Sequence, residues 1–216
     1  MQVLKFGGTS VANAQNMSKV VDIVTKAVDR DRTILVSSAI SGCTDTLIKI
    51  GHLASQRDDS YKALIDELQH KHHEIIRNFL PLEKQDESKE VCDSLFDSLR
   101  SIAQGVFLLG ELSPASLDAI QGFGELWSTK ILATKLASIG IATKWIDSRK
   151  IIRTVAKGDK NIVDIQKTYS RINEMVENNP ITQLFVLPGF IASDKQDRTT
   201  TLGRGGSDYT ASLYAV

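Results

Sequence analysis

Val3 to Phe6 is a short strand-forming run that stops at Gly7-Gly8-Thr9-Ser10, and Met17 to Arg30 then carries Val20, Val21, Val24, Ala27 and Val28 at helical spacing. The same order recurs. Thr33 to Val36 reads as a second buried strand, ends in the small and polar loop Ser37 to Asp45, and leads into a helix through Leu47, Ile48 and Ile50. Farther along, Gly124 to Ile139 reads as an amphipathic helix and Ala142 to Ile146 as a strand. Asp164 to Glu177 reads as a helix stopped by Asn178-Asn179-Pro180, and Leu184 to Leu187 as another strand. Strands that alternate with helices in this way imply a layered α/β domain with a mainly parallel central sheet.

Between Ser55 and Gln121 the pattern changes to long polar-faced helices, Tyr61 to Phe79 and Lys89 to Leu109. Val91, Leu95, Leu99 and Ile102 form a stripe that predicts helix-to-helix core. The proline-initiated, charged segment Pro81 to Lys89 predicts the loop between them. This is a helical insertion over 55–121 inside one domain spanning 1–216, and no internal repeat is present.

With 216 residues, 42% of them apolar, the chain can bury one core and an attached subdomain. Twenty-six basic residues balance twenty-six acidic ones. That leaves no bulk field to draw the chain onto nucleic acid or an anionic membrane, and no local basic patch replaces it. The N-terminus lacks a signal peptide's apolar stretch and no run approaches a membrane span, so a cytoplasmic address is expected. Cys43 and Cys92 are far apart without a C-x-x-C partner and predict two reduced thiols. His70, His72 and His73 do not share one helix face, so they predict a solvated surface and no metal site. Trp127 and Trp145 read as core or interface packing.

Nine of the fourteen glycines fall in five short loops: Gly7-Gly8, Gly42, Gly122 with Gly124, Gly189, and Gly203 with Gly205-Gly206. A glycine turn from strand to helix lets backbone N–H groups approach anionic oxygens, although a single Gly-Gly by itself reads first as a simple tight turn. Gly122-Phe123-Gly124 has Trp127 where a dinucleotide fingerprint needs its third glycine, and no P-loop motif exists, so both nucleotide motifs are excluded. Lys5, between Leu4 and Phe6, must meet an anion to offset its desolvation, which points to a phosphate-binding or catalytic role. Asp208, taken alone, fits equally a helix cap or first-turn acid, since Thr210 to Val216 is helix-compatible.

Two longer motifs go further. Lys5-Phe6-Gly7-Gly8-Thr9-Ser10-Val11 resembles the opening signature of aspartate kinases in the amino-acid kinase family, and Thr200 to Ala211, with Gly203-Arg204-Gly205-Gly206-Ser207-Asp208 at its centre, resembles the second. Val36 to Asp45, Gly122 to Leu126 and Asp147 to Lys150 are similar to landmarks between them. The resemblance implies the layered fold of that family and transfer of the ATP γ-phosphate to the side-chain carboxylate of L-aspartate, with Mg²⁺. It implies that Lys5 bridges the phosphates and the transferring group, beside Phe6, Gly7, Gly8, Gly205 and Gly206 on the nucleotide side, and that Asp208 orients Lys5. Ser38, Thr44, Glu125, Phe190, Thr201, Arg204 and Ser207 would hold the amino acid, with Arg204 on the α-carboxylate and Glu125 on the α-ammonium.

Family members continue past the second signature through the rest of the ATP site and usually into regulatory ACT domains. The expectation is therefore a truncated catalytic domain holding the aspartate side, from a parent that is a homo-oligomer. Val11-Ala12-Asn13-Ala14 resembles forms fused to homoserine dehydrogenase. Two other readings stay open: a same-fold kinase for another carboxylate acceptor, and a fragment that binds an amino acid without turnover.

Overall fold

The computed structural model describes residues 1–158 and 160–215, Lys160 in its backbone alone. The first strands and helices are β1 (Gln2–Phe6), α1 (Ala14–Val28), β2 (Thr33–Ser37) and α2 (Cys43–Ser55). Four helices follow: α3 (Tyr61–Phe79), α4 (Leu82–Leu109), α5 (Pro114–Gln121) and α6 (Phe123–Ser138). The remainder comprises β3 (Thr143–Trp145), β4 (Thr154–Lys157), β5 (Lys160–Val163), α7 (Ile165–Glu177), β6 (Leu184–Pro188), β7 (Ile191–Ser193), β8 (Thr199–Thr201) and α8 (Gly206–Tyr214). The C-terminal helix begins at Gly206 with Ser207 and Asp208 in its first turn, as the reading of Asp208 as a first-turn acid expects, and Val216 lies outside the described residues.

β1, β2, β6 and β3 lie side by side in that order, all parallel, as the alternation of strands and helices implies. The side chains of β2 and β6 divide between two cores. Leu35, Leu184 and Val186 join the helices α1 to α6, while Ile34, Val36, Phe185 and Leu187 join Ile172 and Met175 of α7 and Leu213 and Tyr214 of α8. Burial on both faces explains why these strands read as unbroken apolar runs. The register aligns Phe6 with Ser37 and Ser37 with Pro188, so three strands end at one level and their loops emerge together.

α1 buries Met17, Val20, Val21, Val24 and Ala27 along one stripe, and the side chain of Asn13 caps it by accepting the Asn16 N–H at 2.9 Å. α1 and α6 lie on the sheet, and α3 and α4 pack against them. Three expectations for this helical side need correction. Pro81 to Lys89 is no loop: Pro81 is the N-cap of α4, where its missing N–H costs nothing, and Glu83 in the first turn suits the helix dipole. Val91 is 40% exposed, because the buried stripe of α4 runs through Ser88, Cys92, Phe96, Leu99, Ala103 and Val106. His72 is fully buried, on the same side of α3 as Leu68 and Ile65. Its Nδ1 lies 2.7 Å from the Leu68 carbonyl, its ring packs on Phe96 and Trp127, and burial lowers its pKa to about 4. His70 remains exposed beside Glu74, and His73 meets Asp93 at 2.6 Å.

Trp127 is core, stacked on Phe96 with ring centroids 4.0 Å apart. Trp145 is partly buried with the Lys130 ammonium 3.8 Å from its ring centre. Cys43 and Cys92 are free and buried, and burial pushes the Cys92 thiol up to about 12. Among the described residues no helix is long and apolar enough to cross a membrane.

Two antiparallel hairpins, β4–β5 and β7–β8, were not foreseen. The turn of the second is built by Asp194, whose carboxylate accepts the N–H groups of Gln196 and Arg198 at 2.9 and 3.0 Å. Buried Arg153 braces it from outside, donating to Ser193 Oγ and to the Asp197 carboxylate, each at 2.6 Å.

Candidate functional site

The aligned strand ends open into a cavity of about 360 Å³ at the carboxyl edge of the sheet, where open α/β sheets bind ligands. Its walls come from the loops after β1, β2 and β6 and from the first turns of α6 and α8. The glycine loop after β1 touches the loop after β2: Ser41 N–H donates to the Gly8 carbonyl at 3.2 Å. A Cβ on Gly8 would stand 2.9 Å from the Ala39 carbonyl oxygen, so only glycine permits this approach.

Lys5 and Asp208 meet at the cavity. Lys5 Nζ is 2.8 Å from Asp208 Oδ1, with the lysine side chain 26% and the aspartate 70% exposed. The anion that Lys5 needs is therefore supplied from the first turn of α8. No side chain caps that helix, whose N-cap Gly205 is in the left-handed region (φ 76°), so its first turn is open to an anionic ligand. Arg204 stands between Gly203 (φ 72°) and Gly205, exposed at the cavity wall, and forms no ion pair or hydrogen bond among the described residues.

Glu125 is the buried charge of the site. Only 3% exposed, it sits in the first turn of α6 and accepts the Ala39 N–H on Oε1 at 3.1 Å, while Oε2 has no partner. Burial raises its pKa to about 8 against the opposing pull of that N–H, which favours its protonated form near neutral pH. A cation placed against Oε2 would restore the carboxylate and satisfy the orphaned oxygen.

Small hydroxyls knit the remaining wall. Ser38 Oγ donates to Ser207 Oγ at 2.9 Å, and Ser128 Oγ donates to the Ser38 carbonyl at 2.7 Å. Gly189 lets α8 close on β6, since a Cβ there would fall 2.6 Å from Ser207 Oγ. Phe190 faces the cavity with φ 67°, a strained conformation for an aromatic residue. It is held by its N–H to Thr210 Oγ1 at 3.0 Å and its carbonyl to the Leu202 N–H at 2.8 Å.

The cavity thus gathers Lys5, Gly8, Ser38, Thr44, Glu125, Phe190, Arg204, Gly205, Gly206, Ser207 and Asp208. Three residues named from the sequence stand apart. Phe6 packs into the apolar core, and Gly7 does not line the cavity but sits beside it, a Cβ there falling 3.6 Å from Lys5 Nζ. Thr201 is turned away, its Oγ1 donating to Asp118 Oδ1 at 2.8 Å and its N–H to Oδ2 at 3.3 Å. Asp118 and Ser128 carry no signal in the sequence, an ordinary aspartate and an ordinary serine on helices until the fold shows what they touch. Among the described residues no group of three or more His, Cys, Asp or Glu side chains converges as a metal cage.

Comparison with known proteins agrees with this geometry. Lysine-sensitive aspartokinase 3 of Escherichia coli is 32% identical over 226 residues, covering 99% of this chain and 45% of its own length. Bifunctional aspartokinase/homoserine dehydrogenase 1 of Arabidopsis thaliana is 29% identical over 215 residues, 99% of this chain and 23% of that protein. E. coli aspartokinase III superimposes with a TM-score of 0.88 in its complex with lysine and aspartate and 0.87 in its complex with aspartate and ADP. Identities are 31% and 29%, over the whole of this chain and 46% of those chains. The chain spans between about a quarter and a half of the length of these relatives. The profile of the amino acid kinase family matches residues 1–216 from end to end, and with the parallel sheet and its strand-end cavity this establishes that the chain belongs to that family.

Proposed function

We propose that this chain forms the amino-acid side of an aspartate kinase, which transfers the γ-phosphate of ATP to the side-chain carboxylate of L-aspartate in the first step towards lysine, threonine and methionine. The observation that carries the reading is the buried Glu125 with Oε2 unpartnered in the same cavity wall system as the unpaired Arg204. An acid that needs a cation and a cation that needs an anion suit the α-ammonium and α-carboxylate of a free amino acid. Ser38, Thr44, Phe190 and Ser207 complete that pocket, while Thr201 supports it from behind. The relatives solved with aspartate, and with aspartate and ADP, support the same acceptor and nucleotide.

The acceptor carboxylate, with a pKa of about 3.9, is ionised at pH 7 and needs no general base. One of its oxygens bonds to the γ-phosphorus, the bond from that phosphorus to the β,γ-bridging oxygen breaks, and the products are an acyl phosphate and ADP. The obstacle is repulsion between anions, so positioning and charge supply the catalysis. At about 4 Å and an effective dielectric near 20, one ammonium is worth about 4 kcal/mol against a phosphate oxygen. The Lys5–Asp208 ion pair at the cavity supports Lys5 in this role, with Asp208 orienting it and the amides of Gly7, Gly8, Gly205 and Gly206 as the proposed donors to phosphate oxygens. Mg²⁺ bound with the nucleotide would supply further positive charge against that repulsion. Two buried free thiols suit a reducing compartment such as the cytosol, and the parent protein is taken to be a homo-oligomer.

Calorimetric titration with L-aspartate, with L-glutamate as control, tests the reading. The expected result is aspartate-selective binding, weakened at least about tenfold by Arg204→Ala and little changed by Lys5→Ala, which instead abolishes most turnover in the full-length protein. A folded chain that binds neither amino acid, or binds both alike, overturns the acceptor assignment.

A further inference from the structure

The helical segment meets the strand that leads into the Arg204 loop through the carboxylate of Asp118. α5 is a short, stiff helix, with Pro114 in its first turn and the Ser113 hydroxyl capping it by accepting the Ser116 N–H at 3.1 Å. It packs on α2, α4, α6 and β8. Asp118, one turn in, receives both donors of one residue: Thr201 Oγ1 on Oδ1 at 2.8 Å and Thr201 N on Oδ2 at 3.3 Å. Asp118 is half-buried, and burial raises its pKa above the ordinary carboxylate value while the two bonds from Thr201 pull it back down. Thr201 is the last residue of β8, and three positions later comes Arg204, flanked by glycines at positive φ. Downstream, the loop runs into α8, and upstream it is tied by the pairing of β8 with β7, by the Leu202 N–H on the Phe190 carbonyl, and by Thr201 on Asp118, the last of these ties coming from the helical segment.

We propose that Asp118 is a positioning residue: by clamping Thr201 it sets the height and direction of the Arg204 loop over the amino-acid cavity, so that α5 determines how well the site grips an α-carboxylate. The inference rests on the proposed amino-acid site for its functional meaning. Its mechanical half stands without it, because a flexible glycine loop is held only as well as its ends. Thr201 thereby changes role, from a ligand of the substrate to the link between the helical segment and the arginine.

Two measurements on the same proteins test this. The first is limited trypsinolysis, following cleavage after Arg204 with cleavage after the exposed Arg57, between α2 and α3, as internal reference. Asp118→Asn keeps the shape but leaves a single acceptor oxygen, and Thr201→Val removes the hydroxyl alone. Each should speed cleavage after Arg204 by about fivefold or more with the Arg57 rate unchanged. Thr201→Ser, which keeps both donors, should restore the wild-type rate, and the double variant Asp118→Asn/Thr201→Val should be no faster than Asp118→Asn. The second is L-aspartate affinity by calorimetry, which should fall about fivefold in both single variants and recover in Thr201→Ser.

Unchanged cleavage after Arg204, or equal acceleration at Arg57, overturns the proposal, since the first denies the clamp and the second makes it general stability. A selectively loosened loop in a protein that binds no L-aspartate supports the clamp and overturns the acceptor reading instead. Selective loosening with undiminished L-aspartate affinity overturns the claim that the clamp serves the arginine.

Discussion

Glu125 and Trp127 are two residues apart on α6 and so point to opposite sides of it. On one side Trp127 stacks on Phe96, with His72 and Phe123 against it, in an aromatic layer closed to water and uncharged. On the other, an acid of equal burial stands in a cavity wall with one oxygen unsatisfied. The same helix is thus a structural support on one face and a strained polar surface on the other. Burial that stabilises the first side destabilises the second until a ligand arrives, which is how a preorganised site stores its affinity.

Three substitutions would break or sharpen this contrast. The largest effect belongs to the dry side: Trp127→Ala should cost about 3–5 kcal/mol through the cavity it leaves, read as a fall in urea midpoint at constant slope. Next comes Glu125→Gln, which should stabilise the chain while weakening amino-acid binding. The folded protein keeps the Glu125 proton to about pH 8, whereas an unfolded chain loses it above its ordinary value of 4.5. Wild-type stability therefore falls as pH rises through that window, and the glutamine variant should gain on the order of 3 kcal/mol at pH 8 and nothing at pH 4. A wild-type melting temperature that follows the variant's from pH 5 to pH 8 would remove the contrast.

The smallest effect has the opposite sign. His72 stays neutral in the folded state down to about pH 4, whereas the unfolded chain takes up a proton below about 6.5, so its share of stability is lost as pH falls between them. His72→Phe should flatten the acid limb of the melting profile by on the order of 1–2 kcal/mol at pH 5 and leave the alkaline limb alone. Together the pair confines the unliganded chain to a stability maximum between its acid-sensitive helical side and its alkali-sensitive cavity.

Much of this was legible in the residues. β1, β2 and β6 are short apolar runs closed by small polar loops, a local pattern that survives folding unchanged, and the two long motifs bring Lys5 and Asp208 within an ion pair of each other. What was missed depends on partners distant in sequence. The buried stripe of α4 uses Ser88, Cys92 and Ala103, too weakly apolar to outshine exposed Val91. His72 is polar by composition and core by neighbours. The β7–β8 turn depends on Arg153, some forty residues upstream, and the role of Thr201 depends on Asp118, eighty-three residues away. Pro81 announced a break that it does deliver, but the break is a helix start, and the charges after it are the first turns of α4.

The register of β1 has a consequence for how errors in this fold are punished. Lys5 projects on the side of the sheet where Asp208 waits, and its neighbours Leu4 and Phe6 pack into the other layer. Loss or gain of one residue in β1 exchanges those sides. The ammonium would then be driven among Leu35, Val186 and the helices, with no counterion, while two apolar side chains emptied into the cavity. The lysine that pairs with Asp208 therefore also proofreads the strand, so that a chain mispaired at β1 is penalised already in folding.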